Sequence, residues 1–231
     1  MIVQEMMIDY SPIWISMKTA SLSIFITFFI GLFAAWAVVS LKNETLKVIC
    51  DGILTLPLVL PPTVMGFFLL LVFGVNQPIG SFFLNVLGVR IAFSFSATVI
   101  AAVVISFPIM YRSARGALEQ VDEDLVDAAR TLGMSETSIF FKVLVPNALP
   151  GIISGGVLSF ARGLGEFGAT AMLAGNIIGK TRTLPLAVYS EVVSNDMHSA
   201  SIYVVVIIAI CFTAVILLNI YQLWVKKKRG F

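Results

Sequence analysis

Arg162 and Glu166 stand four residues apart in "SFARGLGEFGATAMLAGN", a stretch with no other charge. On a helix, that spacing puts both side chains on one face, where they can pair. At membrane depth a lone charge costs about 2.5–3.5 kcal/mol, so such groups serve a transport path or gate, or form a structural ion pair. Gly163, Gly165 and Gly168 thin the same stretch and permit tight helix contact or a bend. A second group is acidic. Glu119, Asp122, Glu123, Asp124, Asp127 and Glu136 make up nearly half of the 13 Asp and Glu residues.

Nothing here points to catalysis. There is no nucleophile elbow, no pair of acids in a soluble cleft and no metal-ligand spacing. His198, the only histidine, falls in a predicted outer loop and is read as a bystander. Cys50 falls in the first inner loop and Cys211 in the last apolar run, so no structural disulfide is expected. "AGNIIGKT", Ala174–Thr181, differs from a phosphate-binding loop by having Ala174 where the first glycine is required. It follows no predicted strand and lies on the predicted outer side. No ATP site, metal or other cofactor is therefore assigned to this chain.

Composition explains what must position these residues. Of 231 residues, 58% are hydrophobic and only 12% charged, against about a quarter charged in soluble domains. Thr19–Leu41, Gly52–Val89, Ile91–Tyr111, Val143–Ala161 and Met197–Val225 contain no Asp, Glu, Lys or Arg. A spanning helix needs about 20 apolar residues, so five crossings are expected. Within the second run the crossing is placed at about Leu54–Phe73, because Asn76, Gln77, Pro78 and Gly80 interrupt the apolar pattern beyond Phe73. Pro57, Pro61 and Pro62 kink or break that crossing. Thr183–Val193 is either a short surface helix or a sixth crossing. The fold class is all-α integral membrane, one domain over residues 1–231 with no internal repeat.

Basic residues orient it. Lys42, Lys47, Arg112, Arg115, Arg130, Lys142, Lys226, Lys227, Lys228 and Arg229 share one side if the crossings alternate. Lys18, Arg90, Lys180 and Arg182 lie on the other. The positive-inside bias puts the N-terminus outside and the tail in the cytoplasm. The first residues lack a basic region and lead into too long an apolar run, so no cleaved leader is expected.

The one long connection, about 112–149, holds the acidic cluster, and a loop of that length is expected to fold or to bind a partner. It reads as two short helices. Leu125, Val126, Ala129 and Leu132 form a narrow apolar stripe, acids crowd the first helix start, and Gly133 follows as a left-handed cap. Ser135 then caps "ETSIFFKVLV", which Pro146 is expected to end. Ala128 and Ala129 are small enough to admit a partner's backbone.

This connection resembles the "EAA" loop of binding-protein-dependent ABC importer permeases. The pattern appears as Asp127-Ala128-Ala129, then Gly133, then nine residues to Val143-Leu144-Val145-Pro146. Asp stands for the usual Glu, and Val for both aliphatic residues. "LPLVLPPTVMGFFLL", "SFARGLGEFGATAMLAGN" and "TRTLPLAVY" are similar to the molybdate branch of that family. Sulfate permeases share a related Gly-Glu segment but lack the Thr-Arg-Thr-Leu-Pro run.

The resemblance implies a type I ABC importer permease in the cell membrane, working as two copies with two cytoplasmic ATPase subunits and an extracytoplasmic oxyanion-binding protein. ATP would be bound by the ATPase partner; lipid surrounds the chain, and no nucleic acid is implicated. Asp127, Ala128, Ala129, Leu132, Gly133 and Pro146 would then couple to the ATPase. Pro61, Pro62, Arg162, Gly165, Glu166, Thr170 and Asn176 are the candidates for path or gate. The cargo implied is molybdate or tungstate. A sulfate-type permease, or an ion-coupled secondary transporter with Glu166 as its one intramembrane acid, are the alternatives.

Overall fold

The structure, a computed structural model, describes residues 9–229, and among these every regular element is a helix. Residues 1–8, on which the reading of the N-terminus partly rests, and the side chains of Lys226, Lys228 and Arg229 lie outside the described residues.

The first long helix, α1 (Ser11–Val39), carries Thr19, Ser23, Thr27, Gly31 and Ala35 at four-residue intervals, all buried. Small and hydroxyl residues at that spacing let a second helix come close where lipid supplies no hydrophobic drive. That helix is α5 (Phe95–Glu119). Thr19 shares a hydrogen bond with Thr98 at 2.8 Å and Thr27 one with Ser106 at 3.3 Å. A Cβ on Gly31 would lie 2.7 Å from Met110 Cγ. The partner number rises with the residue number, so α1 and α5 run parallel.

Parallel neighbours require one net crossing between them. It is made by α2 (Glu44–Val59) and α3 (Pro62–Phe73), which meet at 108°. Pro57 sits inside α2, and the true break falls at Leu60-Pro61, where the chain turns extended. The predicted crossing is thus a broken one. It also begins earlier than the uncharged run: Cys50, expected in a loop, is on α2, and both cysteines are free. A short helix, α4 (Pro78–Leu87), fills the remainder of the run.

After α5 come α6 (Glu123–Thr131) and α7 (Glu136–Ile139); the latter continues through a π turn (Phe140–Leu144) into α8 (Val145–Leu164). Pro146 therefore does not end a helix, as the sequence suggested. Its ring and missing N–H cannot fit an ordinary turn, and the π turn absorbs the misfit: Val145 N–H bonds to Phe140 O, five residues back. The result is one apolar helix over Glu136–Leu164, longer at its start than the expected Val143–Ala161. Cβ atoms on Gly151 and Gly155 would press on Ala117 and Ser113, and one on Gly163 would face Ser23, Ala102 and Ser106. These pairs descend along α5, so α8 runs antiparallel to it.

Beyond α8 lie α9 (Gly168–Leu173), α10 (Leu184–Val193) and α11 (Met197–Arg229). At ten residues α10 is about 15 Å long, half a bilayer core, so it is not a sixth crossing. It lies against α1 and α11, held where Leu184 N–H donates to Ser16 Oγ at 2.7 Å. The long α11 returns along α8, mostly uncovered, as suits a lipid-facing helix. Five crossings result.

Gly66 of α3 is the tightest contact with α9: a Cβ there would sit 2.8 Å from Ala169 Cα. Gly66→Val is expected to cost about 1–3 kcal/mol, read as a lowered unfolding temperature in detergent; an unchanged temperature would mean that α3 and α9 do not touch.

Candidate functional site

Two helix breaks meet inside the bundle. Gly163 lies beside Ser23, the middle of α1, so α8 stops near mid-height rather than at an end of the bundle. There the chain passes Gly165, Glu166 and Phe167 before α9 begins. The Leu60-Pro61 break comes up against this point: a Cβ on Gly168 would lie 3.0 Å from both Pro62 Cβ and Thr63 N. Pro61, Pro62, Arg162, Gly165, Glu166 and Thr170 are thus gathered at this level, Thr170 being fully buried on α9.

Glu166 joins the two halves. Arg162 and Glu166 do not share one helix, as their spacing suggested: Arg162 is in the last turn of α8, and Glu166 lies past its end. One carboxylate oxygen accepts from Arg162 Nη1 at 2.9 Å, the other from Ala169 N–H at 2.8 Å. The Ala169 amide is in the first turn of α9, where a helix has N–H groups to spare and favours an anion. Glu166 is 1% exposed and Arg162 30%, so the acid is sealed while the base still reaches open space. A pair with one open face can gate or contact a passing anion through the arginine.

Asn176 is not part of this group. It is exposed in the α9–α10 connection, where Nδ2 donates to Ser190 Oγ at 2.6 Å and Oδ1 accepts from Arg182 Nε at 3.1 Å. Arg182 also pairs with Glu191 at 3.3 Å. This network fastens α10 at the far end from α6. The segment Ala174–Thr181 in the same connection follows helix α9, with no strand before it.

The acidic connection does fold into a helical hairpin. Asp122 caps α6 by accepting from Asp124 N–H at 3.0 Å, and Glu123 and Asp124 occupy its first turn. Gly133 closes it at φ +76°, a backbone conformation only glycine adopts freely, with Met134 N–H returning to Ala129 O at 3.1 Å. Arg130 reaches Asp127 at 3.0 Å and Glu136 at 2.9 Å, tying α6 to α7. Glu136 and then Asp127 hold that guanidinium above its already high ordinary value. Behind the hairpin, Trp36 of α1 stacks on the buried Phe140 ring at 4.4 Å.

The faces of α6 divide differently from the predicted stripe. Ala129 is 5% exposed and turned into the chain's own bundle, so it cannot admit a partner. Asp127, Ala128 and Gly133 are exposed, and Leu132 is 81% exposed. Pro146 lies beyond the π turn on α8, away from α6. Of the six residues expected to couple, Asp127, Ala128, Leu132 and Gly133 are thus open on α6 and its cap, and Ala129 is not.

The family described as "Binding-protein-dependent transport system inner membrane component" matches residues 27–229. The chain belongs to that family. Over 182 residues, 79% of either chain, the permease is 45% identical to the molybdenum transport system permease protein ModB of Escherichia coli (strain K12). It is 39% identical over 204 residues to the putative molybdenum transport system permease protein YvgM of Bacillus subtilis (strain 168), covering 88% of this chain and 89% of that one. An inward-facing structure of the MetNI methionine ABC transporter superposes with a TM-score of 0.73 at 19% identity, over 95% of this chain and 96% of that one. The fold is that of a type I ABC importer permease, and the chain is a multi-pass inner-membrane transport subunit. Membership implies a separate ATPase and a binding protein as partners.

One polar cluster of the permease was missed by sequence reasoning. Asp51 of α2 accepts from Tyr111 Oη at 3.0 Å and pairs with Arg115 at 2.6 Å, and Arg115 also holds Glu119 at 2.9 Å. This staples α2 to α5 beside the hairpin. Asp51 is the lone acid between Glu44 and Glu119 in the sequence, which marked it as needing a partner.

Glu166→Ala is expected to destabilise the permease by about 3 kcal/mol, since it strands Arg162 and an α9 amide. Arg162→Ala with Glu166→Ala should cost less than the two changes added. Thermal unfolding of the four proteins measures this, and simple additivity would show that the pair does not interact.

Proposed function

We propose that the permease carries molybdate, or its near twin tungstate, inward as a homodimer driven by two ATPase subunits. The single observation carrying this reading is the 45% identity to a molybdenum permease over 79% of both chains. The N-terminus lies outside and the α6 hairpin and tail in the cytoplasm, in keeping with the basic side chains on that side. The ATPase partner, not this chain, binds ATP.

In this mechanism α6 is the joint. Asp127, Ala128, Leu132 and Gly133 enter a cleft on the ATPase, while Ala129 and the Trp36–Phe140 stack hold the other side of the hairpin to the bundle. ATP draws the two ATPase subunits together, the hairpins of the two copies approach, and the path opens outward to take the oxyanion from its binding protein. Hydrolysis reverses the motion. The anion crosses mid-membrane at the paired breaks, where unwound backbone and the open face of Arg162 replace part of its hydration.

Membrane vesicles holding permease, ATPase and binding protein should accumulate labelled molybdate only when ATP is supplied. Accumulation without the ATPase, or of sulfate in place of molybdate, would overturn the assignment. Leu132→Asp should leave the fold intact, because that side chain is in solvent, yet weaken ATPase docking by about 2 kcal/mol, roughly thirtyfold. Co-purification and uptake should fall together; undiminished docking would remove Leu132 from the joint.

A further inference from the structure

A cavity of about 910 Å³ opens between the C-terminal part of α5 and the N-terminal part of α8, with the start of α6 at its rim. Arg112, Ser113, Gln120, Asn147 and Ser154 line it with side chains that can donate hydrogen bonds, and Gly116 and Gly151 leave room beside them. Arg112 is exposed and, among the described residues, has no ion-pair or hydrogen-bond partner. Other charged groups at this end of the bundle are committed. Arg115 holds Asp51 and Glu119, Lys47 reaches Glu44 and Glu119, and Asp122 caps α6.

An unpaired guanidinium among hydroxyl and amide donors, in a cavity of ligand size, matches the chemistry of a tetrahedral oxyanion. Asp122 lines the same cavity and opposes an anion's staying there. Attraction from one charge and repulsion from the other suits passage rather than retention, since conduction needs sites that fill and empty. We propose that this cavity is the exit vestibule of the path, in which Arg112 receives the oxyanion after it clears the break at Glu166. The inference rests on the proposed function and adds a site on the α6 side of the bundle.

The test uses the whole transporter in proteoliposomes and reads molybdate delivered per ATP hydrolysed for wild type, Arg112→Gln and Arg112→Lys. Loss of one charge-assisted contact should lower the ratio about tenfold in Arg112→Gln, and Arg112→Lys should recover most of it. An unchanged ratio in Arg112→Gln overturns the vestibule, as does equal damage in both variants with ATP turnover falling in step. A phosphate headgroup offers similar chemistry, so the series is repeated with and without anionic lipid; a defect confined to anionic vesicles assigns the cavity to lipid and overturns the proposal. Wild-type transporter that delivers no molybdate would overturn the proposed function itself, and this inference with it.

Discussion

Inside a bilayer no water is available to satisfy a backbone N–H or C=O, so a helix that stops at mid-height must find its partners within the protein. The permease stops two helices there, at Leu60-Pro61 and at Gly165, and sets the breaks against each other. Glu166 is what makes the second break tolerable. Its carboxylate answers an α9 amide on one side and an α8 arginine on the other. A neutral loop would leave the amide unmet, and an unpaired acid would be costly to bury. Irregular backbone at membrane depth is therefore tolerated without the bundle coming apart.

Around this weak point the rest is stiff. The parallel pair α1 and α5 is in close contact along much of its length, with hydroxyl bridges at two levels, and α8 packs into α5 through glycines. Near the hairpin each helix of that pair is anchored: α1 through Trp36 on Phe140 behind it, and α5 to α2 through Arg115 on Asp51. Behind α6 thus stand packed helices rather than loops. The breaks lie well along those helices, away from the hairpin.

Much of this was legible in the sequence, and most of the failures share a cause. Apolar runs located all five crossings, because exclusion of charge is a local property of the chain. Pro61-Pro62, the Gly133 cap and the folded hairpin were likewise readable from single residues with strong backbone preferences. What depended on facing direction was not. Ala129 fits an apolar stripe equally well turned inward or outward, and only the bundle beneath α6 decides. Asn176 stood three residues beyond α9, too far along the chain to stay with Thr170. The Arg162–Glu166 spacing implied one helix, yet the same separation spans a break when Gly165 lies between. Asp51 and Arg115 lie 64 positions apart, and no periodicity links them. Pro146 misled for a different reason: a proline forbids an ordinary turn but not a wider one.

That wider turn has a geometric consequence. An α-helix advances about 100° per residue, so the one residue held in excess by Phe140–Leu144 sets the azimuth of everything before it. Deleting a residue there, with Pro146 replaced so that a regular turn is allowed, would return the segment to α phase and swing Phe140 away from Trp36, pointing the hairpin along a different bearing. The bearing of the hairpin is thus set by one local turn, apart from the helices that cross the membrane.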